Sequence, residues 1–488
     1  MTIYDRLYKK MQFPPIISDL LFCPGLLRLR DVRMANNQFV AFPAFASTTR
    51  YEHSLGVCYL AGKCASHLKL SETDTLELML ACLYHDVGTP PFAHAMEEVL
   101  QVEFGFDHEE NLRQLLIGDS GEFDLQSAQL FDGKLLRLES ACQRARKRGI
   151  AINLNRIAKI ATGDTSDPLS PLVCGKGMDL DNIDNIIRAS TAMGIIDNKY
   201  SISADRLAYD LAQSFVLKNG GVYYDINYFY EISEWQRIRD IQYTAIFNSI
   251  DDFAFQTMIK QAIRSLITYR EKGFEISKDA WRMTDSTFTN DYLLKHTKSS
   301  VIMQRVQRCE PFNCLGVLYV YGNNTSWHIN TQLPEIEEIS SDYLLSHINP
   351  SKKRKQRIPD TLITKTAVVA NFYPDKRKRS LSKSFLNYHE DSSNQINEYQ
   401  KTGALLGLFT SLETCAYRTE KVNGEEKRQC VTFSNKDLEN IIELLAYGCL
   451  KGFSIEIYRS ETYGQSNNAE TEFGQLGFFG LQQLEIPS

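Results

Sequence analysis

No Cys-x-x-Cys pair occurs in the 488 residues, and the eleven cysteines, an odd number, are scattered from Cys23 to Cys449. Scattered reduced thiols explain that pattern better than a disulfide framework. No run of 18 apolar residues is present, so no segment reads as a membrane-spanning helix. The opening "MTIYDRLYKKMQFPP" lacks the apolar stretch of a secretory signal. Together these absences predict a soluble, cytoplasmic protein with no membrane partner. There is no internal repeat. Excess charge is also lacking: a net −6 over this length points to neither a nucleic-acid coat nor a membrane surface.

What is present is ordinary globular composition, 43% hydrophobic and 23% charged, in a chain long enough for two or three domains. The first 290 residues read mostly as helices. "SLGVCYLAGKCASHL" (54–68) and "DTLELMLACLYHD" (74–86) carry helical apolar spacing. The second is apolar nearly all round, as a core helix is. "MDLDNIDNIIRASTAMGI" (178–195) puts Ile183, Ile186 and Ile187 on one face, and 224–275 is again helical. After about residue 300 short alternating runs, "CLGVLYVYG" (314–322) and "TAVVANFYP" (366–374), read as strands. The basic clusters at 352–357 and 375–380 then fall in charged loops, and the Gln-, Asn- and Gly-rich tail from 460 reads as loop. The predicted division is a helical part, 1–300, and a mixed α/β part, 301–488.

Five of the nine histidines lie within the first 108 residues. His67 reads as a partly exposed helical residue. The other four stand in "RYEHSLG", "YHDVG", "PPFAHAMEE" and "FDHEEN". His53 opens one helix and His85 closes the next, so a short turn and an antiparallel return bring them together. Asp86 adds a carboxylate, and Asp181 or Asp184 supplies a fourth donor. Two imidazoles with carboxylates suit a divalent ion, leaving positions for water and substrate oxygens.

In order, His53, His85-Asp86 and Asp181 resemble the H…HD…D signature of the HD-domain metal-dependent phosphohydrolases. The wording is closest to one branch, the dNTP triphosphohydrolases. "FPAFASTTRYEHSLGVCYLAG" (42–62) resembles that branch's FPGA…RFEHSLGV…LAG segment, and "ACLYHDVGTPPFAHAMEE" resembles its LLHDIGHGPFSH. "GMDLDNIDNIIRASTAMGI" resembles its D-x-D-x-x-D-Y-x-x-R-D helix. The similarity is strong over 42–195 and patchy to about 300.

The resemblance implies a mainly α fold: an HD-domain helical core with a C-terminal mixed α/β region. It implies His53, His85, Asp86 and Asp181 as ligands of a divalent metal, whether Mn, Mg, Fe or Zn. It places Arg50 and Arg239 at substrate phosphate, His94 at the scissile phosphate, and His108 with Glu97 as an accompanying pair. Thr89 stands where the family often has a second histidine, Asn185 where it has a sugar-packing tyrosine, and Ala189 where it has an aspartate.

The activity implied is hydrolysis of (deoxy)nucleoside triphosphates to nucleoside and tripolyphosphate, fitting antiviral defence as readily as housekeeping. A homo-oligomer gated by a regulatory nucleotide or oligonucleotide is implied as well, with 301–488 serving oligomerisation or effector binding. Two alternatives stay open. One is an HD phosphohydrolase of nucleoside monophosphates, oligonucleotides or cyclic nucleotides; the other is a nucleotide-sensing HD protein without catalysis.

Overall fold

The computed structural model describes residues 1–35, 41–117, 136–175, 177–196, 203–322, 325–348, 368–374, 402–410, 415–422, 425–432 and 434–458. The basic clusters at 352–357 and 375–380 and the tail from 460 lie outside these residues, as do the first two positions of the 366–374 strand. The fold is mainly α, with a small antiparallel sheet near the C-terminal end.

An N-terminal hairpin comes first, β1 (Thr2–Asp5) paired with β2 (Lys9–Gln12). Asp5 closes its turn by accepting the amide N–H groups of Leu7 (2.9 Å) and Tyr8 (2.8 Å). Helix α1 (Arg50–His67) begins where Thr49 and Glu52 form a reciprocal capping box, which satisfies two amides that a helix start leaves unpaired. Helix α2 (Glu72–Tyr84) is capped by Ser71, whose hydroxyl accepts the Asp74 amide at 3.1 Å. Every residue of α2 from Leu76 to Tyr84 is buried, as its all-round apolar composition predicts. His67, at the far end of α1, is exposed.

Helices α3 (His94–Phe104) and α4 (His108–Ile117) follow the break after α2. Helix α5 (Leu180–Ala192) is capped by Asp179, which accepts the Asn182 amide at 2.7 Å. Ile183, Ile186 and Ile187 of α5 are fully buried. The 224–275 segment forms two helices, α6 (Phe229–Asn248) and α7 (Ile250–Thr268), and the one-turn α8 (Asp285–Phe288) and α9 (Thr297–Gln307) complete the helical body. One continuous apolar core runs through all of these, from Leu7 to Phe312.

The sheet starts at β3 (Asn313–Gly322) and, after α10 (Thr325–Ile348), continues with β4 (Val369–Pro374) and β5 (Thr402–Thr410). Helix α11 (Asn435–Tyr447) and β6 (Ser454–Ile457) finish it. The strand order is β6-β3-β5-β4, antiparallel throughout. Alternation along β3 and β5 gives the sheet two apolar faces. Leu318, Leu406 and Leu408 pack with Ile336 and Ile441 from α10 and α11. Val317, Leu405 and Phe409 join the helical core instead, with Phe409 edge-on to Phe253 of α7 at 5.3 Å. A buried Lys260 on α7 adds a polar link, pairing with Glu98 of α3 and donating to Asn371 of β4 at 3.3 Å. No helix among the described residues is long and apolar enough to cross a membrane.

Candidate metal centre and catalytic site

Capping by Thr49 puts Arg50 at the first position of α1 and His53 one turn later, facing the end of α2. Helix α2 stops at Tyr84, and the His85 Nδ1–H donates to the Cys82 carbonyl at 2.8 Å. That bond leaves Nε2 of His85 as the free donor atom, 3.3 Å from Nε2 of His53. The Asp179 cap sets Asp181 in the first turn of α5. Its Oδ1 lies 2.8 Å from His53 Nε2 and 3.7 Å from His85 Nε2.

Asp86 divides its two oxygens. Oδ1 accepts from Arg50 at 2.5 Å and from the Thr89 hydroxyl at 3.1 Å. Oδ2 is buried without a hydrogen-bond partner, 3.6 Å from His85 Nε2 and 3.9 Å from His53 Nε2. An orphaned carboxylate oxygen facing two imidazole nitrogens is a costly arrangement unless something cationic completes it. The spacing suits a cation: donors about 2.0–2.2 Å from one ion lie about 3–4 Å from each other. His53, His85 and Asp181 bring their donor atoms within 4.8 Å of one another, and Asp86 Oδ2 reaches both histidines. The residues present therefore fit a divalent metal.

Behind this set stands a second layer. Asp184, one turn after Asp181, takes the other face of His53, with Oδ2 at 2.8 Å from Nδ1. Sequence spacing left Asp181 and Asp184 as alternatives, because residues three apart share a helix face. The geometry separates them: Asp181 meets the metal-facing nitrogen, and Asp184 fixes the tautomer from behind. Asp184 is itself held by Tyr8 (2.7 Å) and by Arg188 (2.9 and 3.0 Å), and Arg188 continues to Asp5 of the hairpin at 2.9 Å. Gly56 makes this approach possible. A Cβ there would stand 2.0 Å from Asp184 Oδ1 and 2.5 Å from a nitrogen of Arg188.

The electrostatics follow from these contacts. Burial alone would lower the pKa of His53, but hydrogen bonds to Asp181 and Asp184 outweigh it and push it up to about 10. Asp86 is depressed to about 2, since the nearby Arg50 and histidines overcome the opposing effect of burial. Burial and the neighbouring Asp181 raise the Asp179 cap to about 7. Without a cation, then, a proton on His53 balances the carboxylates.

Past Asp86 the chain turns tightly, with Val87 and Thr89 amides bonded to the Tyr84 and Asp86 carbonyls at 2.9 and 3.0 Å. Gly88 lets the turn press on the start of α4, where a Cβ would lie 3.1 Å from the His108 carbonyl oxygen. His94 opens α3 and is 63% exposed, with Nδ1 3.1 Å from Glu97 Oε2. Glu97 Oε1 pairs with His108 Nδ1. One carboxylate thus bridges two imidazoles, leaving Nε2 of His94 available. Burial opposes ionisation of both partners, yet the contact lowers the pKa of Glu97 and raises that of His108.

Residues 50–154 match the family model described as HD domain. The chain carries an HD domain. Its sequence is similar to the deoxynucleoside triphosphate triphosphohydrolase SAMHD1 of Bos taurus, 35% identical over 103 residues, which are 20% of this chain and 17% of that protein. The Homo sapiens protein of the same name is 36% identical over 104 residues, 20% of this chain and 16% of its own length. The Dictyostelium discoideum SAMHD1 homolog is 34% identical over 137 residues, 25% and 26% respectively. The chain thus spans between about a sixth and a quarter of the length of these relatives.

The other expected residues are placed as follows. Asn185 is half-buried on α5, one turn past Asp181. Arg239 is buried on α6, its guanidinium 4.7 Å from the Tyr243 ring centroid and 3.9 Å from Asp240. Sequence reasoning missed Tyr8, Gly56, Asp285 and Arg28. The one signal available for Arg28 was a cation inside the apolar run "PGLLRLR".

Proposed function

We propose that this protein is a divalent-metal-dependent phosphohydrolase of deoxynucleoside triphosphates, releasing nucleoside and tripolyphosphate. The observation that carries the reading is the unpartnered Oδ2 of Asp86 among His53, His85 and Asp181, in a chain of which about a fifth is similar to proteins named as triphosphohydrolases. In this reading those four residues hold the ion. When bound, a divalent cation neutralises phosphate oxygens and lowers the pKa of a water.

The chain's own groups do the rest. Arg50, already shaped by Asp86, lies where it can anchor a phosphate oxygen, and Arg239 extends the anchoring along the triphosphate tail. Water oxygen adds to the α-phosphorus, the bond to the 5′-oxygen breaks, and that oxygen needs a proton to leave as nucleoside. His94 supplies it from Nε2, with Glu97 fixing the ring through Nδ1 and His108 serving as relay. Asn185 faces the sugar side in place of the family's aromatic residue, so sugar recognition differs from the family pattern. Residues 301–488 form an oligomerisation or effector-binding region, and the protein acts in the cytoplasm, where lowering nucleotide pools suits antiviral defence.

Purified protein incubated with each dNTP and NTP in Mn²⁺ or Mg²⁺, with chromatography of products, tests the reading. Nucleoside with tripolyphosphate supports it. Monophosphate with pyrophosphate, or cleavage of oligonucleotides alone, transfers the same site to another phosphoester; no turnover of any of these leaves a nucleotide sensor.

A further inference from the structure

Two successive L-residues just before His94 hold positive φ angles, Phe92 at 56° and Ala93 at 44°. Such a pair persists only where the surroundings over-determine it, and strain of this kind collects at functional sites. Here the surroundings are specific. The Phe92 amide N–H donates to Asp285 Oδ1 at 2.8 Å, and the other carboxylate oxygen accepts the Arg33 amide at 3.0 Å. The Phe92 ring packs edge-on against Phe288 of the same one-turn helix, at 6.4 Å.

The upstream end of the loop is tied to the same place. The buried Arg28 donates to the Val87 and Thr89 carbonyls at 2.9 and 2.6 Å, and to the Met283 carbonyl at 2.9 Å. Both ends of the loop from Asp86 to His94 are therefore clasped to residues 283–288, almost 200 positions away in the chain. Asp285 is 7% exposed, and burial pushes its carboxyl up to about 6.

We infer that Asp285 is a positioning residue: by holding the Phe92–Ala93 turn it sets the His94 ring relative to the ligands at 85 and 86. The inference rests on His94 being the proton donor proposed above. A displacement of about 1 Å at such a group costs on the order of 10²-fold in rate.

The test is a double-mutant cycle of Asp285→Ala and Asp285→Asn with His94→Ala, reading kcat, KM, bound Mn²⁺ and amide exchange over residues 87–94. Asp285→Ala is expected to lower kcat by about 10²-fold with wild-type Mn²⁺ content and faster exchange at Phe92 to His94. On the His94→Ala background the same change should alter kcat by less than about twofold. Asp285→Asn, which keeps one acceptor oxygen, should fall between. Equal losses on both backgrounds, or an unchanged kcat, overturn the inference. If the alanine variant does not fold, the asparagine cycle decides. If the wild type hydrolyses no nucleotide, the proposed function fails by itself; exchange over 87–94 then decides separately, and no change there overturns the clasp.

Discussion

Replacing Gly56 with alanine should dismantle the metal centre from behind without touching a ligand. The new Cβ would stand 2.0 Å from Asp184 Oδ1, where 3.0 Å is the practical minimum, so the carboxylate must retreat by about 1 Å. Its bonds to Tyr8 (2.7 Å) and Arg188 (3.0 Å) cannot both follow. Losing one hydrogen bond to a charged acceptor costs about 1.5–3 kcal/mol, and overpacking adds about 1–3 kcal/mol. Alanine in a helix returns about 1 kcal/mol. The net is about 3 kcal/mol of destabilisation, with Mn²⁺ affinity down about 10–100-fold because His53 loses its orienting partner. Gly62→Ala on the same helix is the control. Its Cβ would meet only the flexible end of Met79, at 3.3 and 3.4 Å, so that variant should be neutral or up to about 1 kcal/mol more stable. Denaturant unfolding and equilibrium dialysis with Mn²⁺ measure both effects. If Gly56→Ala matches Gly62→Ala in stability and binds Mn²⁺ like the wild type, the role given to Asp184 is wrong.

Tyr8→Phe removes one donor to buried Asp184 and should weaken Mn²⁺ binding by about tenfold, seen by calorimetry as a lower affinity at unchanged stoichiometry. Asp86→Ala should lose metal and turnover together, whereas His94→Ala should keep the ion and lose about 10²–10⁴-fold in rate; metal analysis beside steady-state kinetics separates them. Glu97→Gln reports through pH. The stabilisation from Glu97, whose folded pKa is lowered, is present above its unfolded value of about 4.3 and lost as pH falls through the folded value. That from His108, whose folded pKa is raised, is present below about 6.5 and lost as pH rises through the folded value. The wild-type advantage in melting temperature should therefore peak between about pH 4.5 and 6.5, and a flat difference across pH would remove the ion pair from the account.

The helices of the first 290 residues and the strand at Asn313–Gly322 were legible because apolar periodicity is a local signal. So were His53, His85, Asp86 and Asp181, through a spaced motif and its resemblance to a family. The four residues from Asp181 to Asp184 show where legibility stops: both carboxylates lie on one helix face, and only packing against α1 assigns one to each ring nitrogen of His53. Tyr8 and Asp285 carried no local signal, and Arg28 only that of a cation inside an apolar run. Each acts on a segment 59 to 193 positions away or more, and such pairings are set by how helices stack rather than by any run of residues. Thr89 was read as an imidazole lost; in place it donates to Asp86 and helps aim the free oxygen.

Mn²⁺ binding measured by electron paramagnetic resonance, on the wild type and on the Asp181→Ala variant, tests most directly whether one cation gathers the four donors. The account predicts one tightly held ion per chain, lost on substitution at Asp181 even though that residue lies nearly 100 positions from the His-Asp pair. A variant that still bound one ion with wild-type affinity would contradict it.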